Sequence, residues 1–239
     1  MTGIRDSGFI VTYSTINLIY RRAFADFYRD VSGGARWSHY FCGRNTVTGA
    51  ECPNCGKKLT LLLTIDTSDP YVAELLPLGR QVPLLYCFCC ALNEDLFFYR
   101  LCGSSVVIVH YARGPECADQ PYSDFPREFP GCPARLLELS AEAQTAIDRI
   151  NRGEMRSADL PYYLKIIDYP LHQIGGRPLL TNKYHETLSC VECEKDMEFL
   201  AAISDECLHP IGFTGDGGSQ VIFRYCLSCK VIAAFAQSD

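Results

Sequence analysis

Apolar residues fall at every second position in Leu59–Ile65 and again in Met197–Ile203, the period of a strand with one buried face. Val82-Pro83-Leu84-Leu85-Tyr86-Cys87 and Val221-Ile222-Phe223-Arg224-Tyr225-Cys226 align with each other and predict a second pair of strands. Further strands are expected at Phe9–Tyr13, Leu96–Leu101, Val106–His110 and Tyr162–Tyr169. Helical spacing replaces alternation in two places. From a cap at Ser14 or Thr15, Ile16, Tyr20, Ala23, Phe27 and Val31 share one face, and Gly33-Gly34 ends the run. From a cap at Ser140, Ala143, Ala146, Ile147 and Ile150 form the face to be buried, and Gly153 stops the helix. Between them, Pro115–Pro133 also carries Pro121, Pro126 and Pro130 and reads as an irregular connector.

The matched strands belong to a larger repeat. Cys52-Pro53-Asn54-Cys55 precedes Cys87-Phe88-Cys89-Cys90 by 31 residues, and Cys190-Val191-Glu192-Cys193 precedes Cys226-Leu227-Ser228-Cys229 by 32. His39-Tyr40-Phe41-Cys42-Gly43-Arg44 likewise parallels His172-Gln173-Ile174-Gly175-Gly176-Arg177. Self-similarity of this kind marks a duplicated chain. In the common register Cys90 aligns with Cys229 and Cys89 with Ser228, so Cys89 is set aside as a ligand. This leaves two sets: Cys52, Cys55, Cys87 and Cys90, and Cys190, Cys193, Cys226 and Cys229. Thiolates in fours select zinc, with an iron–sulfur cluster as the alternative. Two structural Zn2+ sites are expected. The gap within each set exceeds the compact ribbon spacing, so strands must be looped in between.

Composition sets the context. With 239 residues, 48% of them hydrophobic and 21% charged, the chain can bury a substantial core. No apolar run reaches the roughly 18 residues of a membrane span, and the N-terminus has no signal-peptide pattern. A cytoplasmic location is therefore expected, where fourteen cysteines favour metal over a disulfide framework. Cys42, Cys89, Cys102, Cys117, Cys132 and Cys207 show no pairing pattern and read as small buried hydrophobes. The net charge of −6, with Lys and Arg scattered, argues against nucleic acid as partner, since phosphate neutralisation dominates such binding. It suits a basic partner.

Four thiolates fill a tetrahedron and leave no position for substrate. His39 and His172, at matched positions before Gly-Arg, read as hydrogen-bonded structural residues; the opposing reading pairs one of them with a thiol as a catalytic base. Gly212-Phe213-Thr214-Gly215-Asp216-Gly217-Gly218-Ser219 lacks phosphate-loop spacing and reads as a hairpin turn. The loop Asp66-Thr67-Ser68-Asp69 reads as solvated. No catalytic residue is assigned, and the chain is expected not to be an enzyme.

His172-Gln-Ile-Gly175-Gly176-Arg177-Pro178, Cys190-x-x-Cys193, Met197-Glu198-Phe199-Leu200 and Gly215-Asp216-Gly217-Gly218 before an aromatic strand resemble the bacterial YwqG-like family. Cys-Pro-x-Cys-Gly, a Leu-rich strand and Tyr86-Cys-Phe-Cys-Cys90 are similar to the zinc repeats of the eukaryotic programmed-cell-death-two protein. The first copy departs from the pattern with Cys42 in place of Gly and no Pro after Arg44. The resemblance covers about two thirds of the chain. It implies an α+β fold, internally duplicated, of mainly antiparallel β units with a four-cysteine zinc site each and peripheral helices. The expected division is 1–112 for the N-terminal repeat, 113–158 for connector and helix, and 159–239 for the C-terminal repeat. The resemblance further implies a binding role without catalysis: a bacterial toxin-immunity protein whose partner is a cognate toxin. The alternatives are a dedicated chaperone of a basic or ribosomal protein and a nucleic-acid-binding zinc ribbon.

Overall fold

The computed structural model describes residues 9–12, 37–78, 80–88, 96–112, 128–129, 131–138, 140–154, 156–166, 172–179, 187–204 and 220–237. The helix expected after Ser14, the glycine-rich turn at Gly212–Ser219, Cys89, Cys90 and most of the connector lie outside them. In chain order the elements are β1 (Phe9–Thr12), β2 (Tyr40–Phe41), β3 (Thr60–Asp66), the one-turn helix α1 (Pro70–Ala73), β4 (Gln81–Tyr86), β5 (Leu96–Cys102) and β6 (Ser105–Ala112). Next come β7 (Cys132–Pro133), β8 (Arg135–Glu138), α2 (Ala141–Asn151), α3 (Leu160–Ile166), β9 (Gln173–Ile174), β10 (Glu198–Ser204), β11 (Gln220–Cys226) and β12 (Val231–Gln237).

The strands form two sheets, paired antiparallel throughout. One has eight strands in the order β6-β5-β12-β11-β10-β9-β1-β8, the other four in the order β4-β3-β2-β7. The architecture is mainly antiparallel β with few helices, and the duplication is legible strand by strand. β2-β3-β4 in the small sheet corresponds to β9-β10-β11 in the large one. Phe41 lies opposite Leu63 as Ile174 lies opposite Ala201. β3 and β10 each carry a bulge at the same point, between Leu61 and Leu63 and between Phe199 and Ala201. The Cys42 amide donates to Leu62 O at 2.9 Å and the related Gly175 amide to Leu200 O at 2.8 Å. Cys42 and Gly175 also share a left-handed backbone, φ 55° and 63°, so the first copy tolerates a side chain where the second has glycine.

Alternation decides what each face meets. Phe41, Leu63, Ile65, Val82 and Leu84 of the small sheet share one core with Ile203, Val221, Phe223 and Ile232 of the large one. The rings of Phe41 and His172 meet edge to face at 4.9 Å between centroids. The copies differ in the pairing of the strand after β4 and after β11. β11 pairs with the next strand, β12, along its whole length. β5, the strand after β4, instead pairs with β12 of the other copy. The large sheet therefore takes strands from the N-terminal and C-terminal repeats alike. The free edge of β4 is stitched by a side chain: Tyr99 of β5 donates its hydroxyl to Pro83 O at 3.0 Å and accepts from the Leu85 amide at 3.3 Å.

α2 forms where its pattern predicts. Ser140 Oγ accepts from the Ala143 amide at 3.1 Å, Ala143, Ala146 and Ile147 are buried, and Gly153 leaves the helix with φ 67°. The strand expected at Tyr162–Tyr169 is a correction: Leu160–Ile166 is helix, entered by a 3-10 turn at Ser157–Asp159. Pro161 fits the first helical turn, where its missing N–H has no partner to lose, and a short apolar run carries no decisive period. Arg149 of α2 donates to the Tyr163 hydroxyl at 2.8 Å and ties the two helices together. Among the described residues no helix is long and apolar enough to cross a membrane.

Candidate metal centres

Each CxxC pair sits on a short hairpin that precedes the long strand of its copy, and both hairpins are built by the same bonds. The Cys52 amide donates to Lys57 O and the Cys190 amide to Lys195 O, both at 2.8 Å. Gly56 and Glu194, each just past the second cysteine, return their amides to Cys52 O at 2.9 Å and Cys190 O at 2.8 Å. Closing so tight a turn needs left-handed backbone at that residue, and Gly56 and Glu194 have φ 68° and 60°. Lys58 lies opposite Glu51 and Asp196 opposite Ser189, after which Leu59 and Met197 enter the core. The chain thus turns back on itself and presents two sulfurs on one side.

The second knuckle of each copy brings the remaining sulfurs. Cys190, Cys193, Cys226 and Cys229 place all four Sγ atoms within 4.8 Å of one another, with Cys193 and Cys226 3.6 Å apart. Cys52, Cys55 and Cys87 form a group of the same tightness, with Cys55 and Cys87 3.8 Å apart. Cys90, expected as its fourth member, lies outside the described residues. The loop between knuckles holds β3, α1 and β4 in the first copy and β10 and β11 in the second, the inserted strands that the spacing demanded. Cys42 and Cys102, set aside as ligands, are absent from both groups. Cys42 is buried as expected, whereas Cys102, at the end of β5, is only half-buried.

The donor geometry fits a metal ion. Bonds of about 2.3 Å to a tetrahedral zinc place thiolates about 3.8 Å apart, and a disulfide needs about 2.05 Å. The thiols also compete for protons. The Lys195 amide holds Cys193 down at about 7, hydrogen bonding with Cys193 pushes Cys229 up to about 12, and burial raises Cys226. Cys193 ionises near neutral pH, and Cys226 and Cys229 do not follow it unaided. A divalent cation removes that conflict by neutralising the thiolates together.

The centres differ in their surroundings. In the first, Phe88 between the sulfurs is buried, its ring edge-on to Tyr86 at 5.0 Å and to Phe129 at 6.1 Å. In the second, the equivalent Leu227 and Val191 of the other knuckle stand 45% and 42% exposed, while Met197, Phe98, Val231 and Ala233 pack with its cysteines. Arg100 of β5 forms an ion pair with Glu192 inside the second CxxC, linking the knuckle to a strand of the other copy. That link has no local signature in the sequence. The lysine two residues beyond Cys55 and Cys193, whose backbone closes each hairpin, was visible as a repeated Cys-x-Lys.

Both matched histidines are buried and hydrogen-bonded. His39 Nδ1 accepts from the Asp66 amide at 3.1 Å, so Nε2 carries the proton it donates to Asp69 at 2.9 Å. His172 Nδ1 accepts from the Ser204 amide at 3.2 Å, and burial drives its pKa down to about 3. Asp69 and Thr67 are buried, which corrects the reading of Asp66–Asp69 as a solvated loop: Thr67 Oγ1 donates to Arg80 O at 2.6 Å and Asp69 anchors His39. No protein-family model matches the chain, and neither a curated protein nor a solved structure matches it.

Proposed function

We propose that the chain is a non-enzymatic, cytoplasmic zinc protein that binds and neutralises a protein partner, the cognate toxin of a bacterial immunity pair. The observation that carries this reading is the second cysteine group, four sulfurs within 4.8 Å on four backbone positions, a set with room for one ion and none for substrate. A cluster of two or four irons interposes further metal and sulfide between the thiolates and spreads them more widely, which favours zinc. Cys90 completes the first set in this proposal. Zinc here is a staple: it fixes hairpins that open the two copies, and its binding energy is folding energy.

The partner is basic by complementarity with a chain of net charge −6, and the toxin reading rests on the YwqG-like motifs around His172 and Cys190. The test is co-expression with the product of the adjacent reading frame. Co-purification as a stoichiometric complex, together with rescue of growth, is the expected result. Neither binding nor protection removes the immunity reading, and co-purification with a nascent ribosomal protein moves the protein to the chaperone class.

A further inference from the structure

The duplication leaves one face treated differently in its two copies. In the large sheet the outward positions Gln173, Ala202 and Ile222 are buried. Their counterparts in the small sheet are Tyr40, Thr64 and Pro83, which line an open groove. The groove consists of two hollows of about 500 and 570 Å3 that share Thr46, Leu61, Thr64 and Gln81 as a common floor. Each is of ligand-binding size.

Its chemistry opposes that of the whole chain. Arg44 lines one hollow and Arg80 the other, with Thr46, Thr48, Thr64, Ser104 and Ser105 between and beside them and, among the described residues, no carboxylate in the lining. The nearby carboxylate of Asp66 is engaged by the Ser38 and Ser68 amides. Arg80 is fixed at its end by donating from Nη1 to Gly103 O at 2.7 Å, while its Nη2 has no acceptor among the described residues. The Arg44 end holds the aromatic residues. Tyr40 is 41% exposed, yet pinned from below: a Cβ on Gly131 or Gly43 would approach its ring to 2.6 or 3.0 Å. Both glycines therefore seat the ring, and Tyr40 lines this hollow together with Trp37.

We propose that this groove binds single-stranded nucleic acid, a base stacking at Tyr40 and phosphates meeting Arg44 and Arg80. Aromatic platforms within a basic groove are the means by which strands are held without sequence preference. An arginine at each end favours a strand over a free nucleotide, whose phosphates lie to one side of its base. The site is independent of the toxin partner proposed above, and either can fail alone.

Trp37 is the chain's one tryptophan, so its emission reads the groove directly. Titration of the zinc-loaded protein with an oligouridine or oligothymidine ten-mer is expected to change that emission saturably, in step with the anisotropy of a labelled strand. Two phosphate contacts set a slope of about −1.4 for log affinity against log salt. Tyr40→Ala should weaken binding at least about tenfold, Tyr40→Phe should retain it, and Arg44→Ala with Arg80→Ala should flatten the salt slope, each read at a temperature below the onset of that variant's melting. The proposal is overturned by a ten-mer that leaves Trp37 undisturbed, or by equal affinity in the double arginine variant. It is equally overturned if inorganic pyrophosphate or UMP binds as tightly as the strand, which would make the groove an anion or mononucleotide site.

Discussion

The two copies place a glycine and a glutamate in the same strained turn, and exchanging them tests the knuckle geometry without touching a sulfur. Gly56 has φ 68° with nothing within 4 Å of an added Cβ, so Gly56→Ala introduces backbone strain and no clash. Left-handed backbone costs an L-residue about 1–2 kcal/mol. Alanine recovers about 0.5–1 kcal/mol by ordering the unfolded chain less expensively than glycine. The net loss is about 1 kcal/mol, or about 2–4 °C in Tm for a chain of this size. Glu194, at φ 60° and with an exposed side chain, is the mirror case: Glu194→Gly should raise Tm by a similar amount. The two changes sit in separate hairpins and should add to within about 0.5 kcal/mol. Thermal melting of both variants at matched metal content reads the outcome. An unchanged or higher Tm for Gly56→Ala, or a lower one for Glu194→Gly, refutes the claim that closing the turn demands left-handed backbone.

Tyr99→Phe removes the hydroxyl that serves both Pro83 O and the Leu85 amide, and should cost about 1–3 kcal/mol in chemical denaturation, with slow-exchanging amides of β4 exposed first. His172 has a folded pKa of about 3 against an ordinary 6.5, so the unfolded chain takes a proton that the folded one refuses. Its contribution is whole above about 6.5 and is lost as pH falls toward 3, at up to about 1.4 kcal/mol per pH unit; His172→Asn should flatten the stability profile by about that slope between about pH 4 and 5.5. Glu192→Gln breaks the pair with Arg100, which is part-exposed, and should lower stability by less than about 1 kcal/mol, an effect that shrinks in concentrated salt.

The residues that make the core announced it. Alternation at Leu59–Ile65 and Met197–Ile203, and the match of Val221–Tyr225 to Val82–Tyr86, predicted strands within a residue or two of those found. The cysteine groups were legible for a different reason: metal ligation needs fixed residue types on a fixed turn, and the duplication printed that requirement twice. The hidden features were long-range. Nothing local at Leu96–Cys102 says that β5 leaves its own copy to pair with β12, and two-residue strands such as Gln173–Ile174 are too short to carry a period. Leu160–Ile166 was misread because an apolar run of that length suits either state until its neighbours choose. The groove was present in the sequence as a contrast between copies, Tyr40 against Gln173 and Thr64 against Ala202, but the contrast acquires meaning only once those positions share a face.

Two sulfur cages, each clamping one ion, are the centre of the proposed molecule. Elemental analysis of the purified chain beside its Cys55→Ser and Cys193→Ser variants measures that directly. Two equivalents of zinc in the parent, and one in whichever variant stays folded, is the expected result. Iron in place of zinc, a single equivalent unaffected by Cys55→Ser, or thiols that titrate as disulfides with no metal present would contradict it.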